Sequence, residues 1–357
     1  MKKFSVLFVL TAATMAAACS RQDSLAPIKG KPIAQGDTTP AALPAALSDY
    51  ELVWHDEFDS TALDTTKWRY RSENTMRGYA LILRSNVIMS DSGFVRLAAQ
   101  RDGNNFSASQ LATHQTYLQK YGYFEARCRM NRSLGPHSSF WLQSPTMGAT
   151  NNPTVDGAEI DVFEYHLANG PDIIRQNLHW NGYGVNHRTT GSKETIPGSG
   201  NGFHTFGLEW TPNSYIFYVD GIVRWSSDSA VSRRSEFMLL SMEITGFGGD
   251  RFAGTYPDYL DVDYVRAYQL NKVTVYKDCN YGGWAKRLAP GNYTLSQLTG
   301  MGITNDDISA VTVPPGYSIT LYENDNFQGQ SLTLTADADC LDASMNDKTS
   351  SIKVSKL

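Results

Sequence analysis

Between Gly157 and Glu164 the chain reads Gly-Ala-Glu-Ile-Asp-Val-Phe-Glu, with only apolar and aromatic residues between its carboxylates. A solvated acidic run would not interleave Ile160, Val162 and Phe163 with its charges. The pattern predicts a half-buried β-strand, whose alternate side chains point to opposite faces. Glu159 and Asp161 then share one face, and Glu164, at an odd offset, points to the other. One extra residue near Val162-Phe163, a β-bulge, brings Glu164 back into line. The strand so formed presents Glu, Asp and Glu as a row.

Like charges held side by side raise one another's pKa, so some member of the row keeps a proton near neutral pH. Glycoside hydrolysis needs such a set: one carboxylate attacks the anomeric carbon while a protonated one serves the departing oxygen. In retaining enzymes the pair stands about 5–5.5 Å apart. The Cα atoms of Glu159 and Glu164 would lie about 13 Å apart at ~3.3 Å per residue. Long side chains leaning inward close that gap, which suits Glu at both ends and the shorter Asp between. From spacing alone, a calcium site or a surface strand with fortuitous charges stays open beside catalysis.

The phrase Glu-Ile-Asp-Val-Phe-Glu resembles the active-site motif of glycoside hydrolase family 16 in its bulged E-x-D-x-x-E form. That resemblance implies Glu159 as nucleophile, Glu164 as acid/base and Asp161 as the residue tuning them, with no cofactor for catalysis. Further stretches resemble the same family. They are Leu52-Val53-Trp54-His55-Asp56-Glu57-Phe58, Tyr121-Gly122-Tyr123-Phe124-Glu125-Ala126-Arg127, Phe140-Trp141-Leu142, Phe203 through Trp210, and Asp261 through Arg266. Independently, residues 49–270 consist of short alternating runs broken by Gly, Pro, Asn and Asp, the pattern of an all-β sandwich. Val219-Asp220-Gly221-Ile222 reads as a hairpin turn. The resemblance implies a β-jelly roll with a concave cleft for a polysaccharide.

A pyranose offers an apolar C–H face that stacks on aromatic rings. Trp141 and Trp180, flanking the acidic strand in sequence, are the candidates for that contact; Trp54, Trp68 and Trp210 are assigned to the core. His179 should lie on the neighbouring strand, where by resemblance it would bond the acid/base or the sugar; a structural role is the alternative. The other histidines show no metal-ligand spacing. By resemblance, a structural calcium would lie near Glu57 and Asp263. Nucleophile-elbow, phosphate-loop and dinucleotide motifs are absent from the sequence.

Lys2 and Lys3, the apolar run Phe4–Ala18 and then Cys19 predict a signal peptide, and Ala16-Ala17-Ala18-Cys19 resembles a bacterial lipobox. Residues 1–19 are therefore read as a lipoprotein signal with Cys19 lipidated, and 20–48, which contain no aromatic residue, as a flexible tether. Export to the outer membrane or cell surface as a monomer is the expectation, with a periplasmic or extracellular protein as the alternative. A net charge of −5 without a basic cluster argues against nucleic acid as a partner.

Residues 272–357 carry an internal repeat. Val275-Tyr276-Lys277-Asp278-Cys279-Asn280-Tyr281-Gly282-Gly283 recurs as Leu321-Tyr322-Glu323-Asn324-Asp325-Asn326-Phe327-Gln328-Gly329. Such a repeat reads as two Greek keys packed face to face, and it resembles a βγ-crystallin domain. By that resemblance Asn305, Asp306 and Ser309, and Asn346, Asp347 and Ser350, would hold calcium, hard oxygen donors suiting that ion. Ala310 stands where the motif expects Ser. Metal-free loops are the alternative. Cys279 and Cys340 are expected to form a disulfide in an exported protein, and Cys128 to be a buried free thiol.

Together these features predict a secreted retaining endo-hydrolase cutting a β-1,3- or mixed β-1,3/1,4-glucan. The alternatives are an agar- or carrageenan-type galactan, with Arg175, Arg188 and Lys193 lining the cleft, transglycosylation on the same residues, or a non-catalytic glycan-binding lipoprotein.

Overall fold

The computed structural model describes residues 43–357, so the signal segment, Cys19 and most of the tether lie outside the described residues. The strands used below are β1 (Tyr50–Asp56), β2 (Val95–Asp102), β3 (Asn105–Ala112), β4 (Gly122–Arg129), β5 (Pro136–Gln143), β6 (Glu159–Tyr165), β7 (Ile173–Trp180), β8 (Arg188–Thr195), β9 (His204–Thr211), β10 (Ser214–Val219), β11 (Ile222–Ser227), β12 (Phe237–Ile244) and β13 (Asp258–Leu270). One antiparallel face runs β3-β12-β5-β6-β7-β8, and the other runs β13-β4-β9-β10-β11 with β1 and β2 on the free edge of β13. The strand β2 belongs to both, pairing with β13 at its start and with β3 at its end, which joins the faces into one continuous sheet. This is a jelly roll, in which closure leaves few free edges.

Alternation fixes which side chains fill the space between the faces. Ile160, Val162 and Phe163 of β6, Phe140 and Leu142 of β5, and Phe206, Leu208 and Trp210 of β9 are buried there. Phe163 meets Phe206 from the opposite face with ring centroids 4.4 Å apart. At the β10–β11 hairpin Asp220 and Gly221 both take positive φ (51° and 75°), which the right-handed twist of the strands demands of a two-residue turn.

One expectation changes here. The folded part begins before residue 49: Leu47, in the short helical turn Ala45–Leu47, is fully buried against Tyr50, Tyr123, Tyr218 and Tyr268. The acidic pair near the first and last strands is engaged by arginines, Glu57 by Arg266 at 2.9 Å and Asp263 by Arg127 at 2.8 Å.

Residues 273–356 form two small sheets, Gly282–Leu288/Val273–Asp278/Ala310–Thr312 and Gly291–Tyr293/Ser351–Lys356/Tyr317–Asn324/Gln328–Leu334. The strand Gly291–Tyr293 from the first repeat pairs with Ser351–Lys356 from the second, so the four-stranded sheet needs both halves. Val275, Leu288, Ile308, Val311, Ile319, Leu321 and Ile352 make their common core. Lys120–Asp337 at 2.6 Å and Lys356–Glu51 at 3.0 Å tie this domain to the jelly roll. Cys279 and Cys340 are bonded, enclosing a separation of 61 residues, and Cys128 is a buried free thiol. Cys340→Ser should lower the unfolding free energy of this domain by about 2–4 kcal/mol, since the unfolded chain regains that loop's freedom. Chemical denaturation followed at Trp284 checks it; an unchanged midpoint would contradict it.

Candidate active site

The register shifts between Asp161 and Phe163 against β5, and between Asp161 and Glu164 against β7. This is the bulge that the odd spacing of Glu164 requires. Across it, Glu159 stands opposite Gln143 and His179, Asp161 opposite Trp141 and Asn177, and Glu164 opposite Ser139 and Arg175. The three carboxylates thus share one face with the odd-numbered residues of β5 and β7, while the even-numbered residues of β7 turn inward.

Each carboxylate has its own partners. Glu159 accepts from the Tyr183 hydroxyl and, at 3.2 Å, from Gln143 Nε2, which also donates to the Tyr183 oxygen at 2.7 Å. Asp161 faces His179 Nε2 at 3.3 Å, and His179 in turn bonds His187, their rings stacked. Glu164 lies 3.0 Å from His137 Nε2 and accepts from Asn177 Nδ2.

Burial, then the charge of Asp161, push Glu159 up to about 8 against the pull of the Tyr183 hydroxyl. Burial and Glu164 hold Asp161 well above the usual carboxylate range. The charge of Asp161 thus raises Glu159 and the charge of Glu164 raises Asp161, so the row titrates as one linked set. Tyr183 and Gln143 both donate to Oε2 of Glu159, which favours the anion there and the proton on the more deeply buried Asp161. Glu164 behaves oppositely. Burial would raise it, yet the hydrogen bond and charge of His137, with Asn177, bring it down to about 2. His137, which burial alone would lower, is raised by the same contact. These contacts favour the proton on His137, whose Nε2 lies 3.0 Å from Glu164, over Glu164 itself.

The aromatic candidates also move. Trp180 does not join the cleft, because it has the parity of Ile174 and Leu178 and packs on the core. Trp141 does face the carboxylates but is only 6% exposed, its ring covered by the Arg71 guanidinium at 4.7 Å and its Nε1 donating to Ser241 at 2.9 Å. Exposed rings come instead from loops. Tyr183 (63% exposed) stands at the Glu159 end, and Phe247 (70%), packed near His137 and His166, at the Glu164 end. Gly182 and Gly184, which flank Tyr183, were the available signal in the sequence. His137, Gln143 and Arg71 gave none, because their roles come from strand pairing.

Glu159, Asp161 and His179 bring donor atoms within 4.8 Å of one another, a group we read as acid–base machinery. In the small domain, Ser309 Oγ donates to Asp347 at 2.9 Å and Ser350 Oγ approaches Asp306 at 3.5 Å. Each half-site so combines the acid of one repeat with the hydroxyl of the other, an all-oxygen donor set that fits calcium. Ser351 serves the fold instead, donating to Asn324 O and accepting from Phe327 N. Ala310 therefore lacks a backbone tie and not a metal ligand.

The profile of glycosyl hydrolases family 16 matches residues 74–246, and that of β/γ-crystallin matches 318–356. A β-glucanase of Rhodothermus marinus is 28% identical over 249 residues, covering 62% of this chain and 85% of that protein. A β-glucanase of Bacillus subtilis (strain 168) is 30% identical over 191 residues, covering 51% and 72%. A keratan-sulfate endo-1,4-β-galactosidase of Sphingobacterium multivorum is 25% identical over 291 residues, covering 75% and 68%. Among solved structures, SCLam, a non-specific endo-β-1,3(4)-glucanase, superposes with a TM-score of 0.53 at 28% identity, covering 66% of this chain and 97% of its own.

Proposed function

This chain belongs to glycosyl hydrolase family 16, its catalytic domain followed by a β/γ-crystallin domain, and from that premise we propose a retaining endo-hydrolase of β-linked polysaccharides. The single observation that carries the mechanism is the Glu159–Asp161–Glu164 row, in which the two outer carboxylates have opposite surroundings. Glu159, an anion held by Tyr183 and Gln143 while Asp161 keeps the proton, attacks the anomeric carbon. Glu164, drawing on His137, protonates the departing oxygen, then takes a proton from the water that releases the sugar. Exposed Tyr183 and Phe247 at the two ends of the row offer stacking surfaces for the chain.

The β-glucanase relatives support a β-1,3- or mixed β-1,3/1,4-glucan as substrate. A galactan is the second reading, favoured by Arg175 and Lys193, which pair across β7 and β8 beside Glu164. A reducing-end assay on laminarin, lichenan, agarose and κ-carrageenan tests both. Activity on the glucans supports the first reading, activity only on a galactan the second, and binding without cleavage would overturn the enzymatic mechanism.

His137→Ala should lower kcat about tenfold and move the basic limb of the kcat/KM profile to lower pH. The sign follows from the contact: His137 is raised by Glu164, so the couple keeps its transferable proton to higher pH than Glu164 alone. An unmoved profile would contradict this.

Calcium held between the two repeats is a further part of the proposal, with Asp306, Ser350, Asn305 on one side and Asp347, Ser309, Asn346 on the other. Calcium at about 100 times its dissociation constant should stabilise the domain by about 2.7 kcal/mol, an effect lost in Asp347→Ala; a thermal melt unmoved by calcium would contradict it. We also propose export and anchoring through Cys19. Among the described residues no helix is long and apolar enough to cross a membrane. Incorporation of labelled palmitate by the wild type but not Cys19→Ser tests the anchor.

A further inference from the structure

Beside the nucleophile lies a pocket that the chemistry above leaves unused. It has a volume of about 410 Å³ and is lined by Tyr70, Arg71, His114, Gln115, Pro145 and Phe237 among others. Pairing places it: Phe237 of β12 stands opposite Gln143 of β5, which stands opposite Glu159 of β6. Gln143 also bridges the two sites chemically, its Nε2 donating to Glu159 and its Oε1 accepting from Arg71 Nη2 at 3.1 Å.

Arg71 differs from its neighbours. Arg77 pairs with Glu243 at 3.0 Å, and the arginines Arg127 and Arg266 have their own carboxylates. Among the described residues no carboxylate pairs with Arg71, and its Nη1 is buried without a hydrogen-bond partner. Nδ1 of His114, across the same pocket, is likewise buried and unpartnered, with the ring edge-on to Phe237. Burial and the charges of Arg71 and Arg69 all hold His114 below its ordinary value, so the pocket is a positive one. The charges of Glu243 and Glu159 favour it only from beyond direct contact, and a guanidinium so buried is costly unless a ligand supplies a counter-charge in contact. Its planar fork matches a sulfate or carboxylate with two parallel bonds. Trp141 beneath it and Gln143 beside it fix the plane of that fork. A neutral hydroxymethyl group would satisfy neither the charge nor the second free nitrogen.

We propose that this pocket receives an anionic substituent, a sulfate ester or a carboxylate, on the sugar bound at the Glu159 side of the scissile bond. The inference rests on the hydrolase reading of that row. It makes the enzyme one that cuts beside decorated residues of its polymer.

The test is calorimetric binding of size-matched β-linked oligosaccharides in neutral, sulfated and C6-carboxylated forms to a Glu164→Gln protein, which holds them uncut. An anionic form should bind about tenfold more tightly than the neutral one, the scale of a hydrogen bond to a charged group. The preferred arm then tells sulfate from carboxylate. Arg71→Met, which keeps the apolar stem over Trp141, should erase the difference, and Arg71→Lys should keep part of it. His114→Gln, read beside a thermal melt, should reduce the preference about threefold. Equal affinity for all three forms, or a preference that survives Arg71→Met, would overturn the proposal. Cleavage of neutral polymers by the wild type, measured separately, reports on the hydrolase reading: cutting without anion preference sinks only the pocket, and anion preference without cutting sinks only the hydrolase.

Discussion

Glu159→Gln should lower kcat/KM on the preferred polymer by about 10⁴-fold while leaving the protein folded and able to bind the chain. The amide is nearly the same size, and its carbonyl oxygen can still accept from Tyr183 and Gln143, the two donors on Glu159. What it loses is the anion that attacks. The measurement is a reducing-end assay beside a circular dichroism melt. A variant with more than about a tenth of wild-type activity would remove Glu159 from the role of nucleophile.

Glu164→Ala should cost about 10²–10⁴-fold on the polymer, the usual range for a lost general acid and base. The loss should depend on the leaving group. An aryl glycoside whose phenolate departs unassisted still forms the intermediate, which then waits for a water that no base activates. Added azide, needing no base, should restore turnover and give the β-glycosyl azide. His137 and Asn177, which surround Glu164, stay in place in this variant, so the small molecule enters a site already lined with donors. A loss independent of leaving group, with no rescue, would contradict the assignment.

Much of the site was legible because it is local. The alternation through Glu159, Ile160 and Asp161, with Glu164 one position out of step, required a bulge, and the register shift lies there. The repeat beginning at Val275 and Leu321 likewise announced two halves of one small domain. What escaped depended on contacts between distant residues. Trp141 looked free for a sugar until Arg71, 70 positions upstream, was seen to cover it. Trp180 and His179 are neighbours in sequence, but strand parity sends the first to the core and the second to Asp161. The resting protons escaped for the same reason: the pull of His137 on Glu164 follows from β5 lying beside β6. Residues 43–48 looked like tether by composition, yet Leu47 finds four tyrosines from four strands.

The central claim, displacement by Glu159 followed by a second displacement by water, is tested most directly by the stereochemistry of the first product. Proton NMR of the anomeric region during the opening seconds of digestion reads it before mutarotation. The account predicts that the β-anomer of the new reducing end appears first and then relaxes to the equilibrium mixture. The α-anomer appearing first would mean that water attacks directly, and would contradict it.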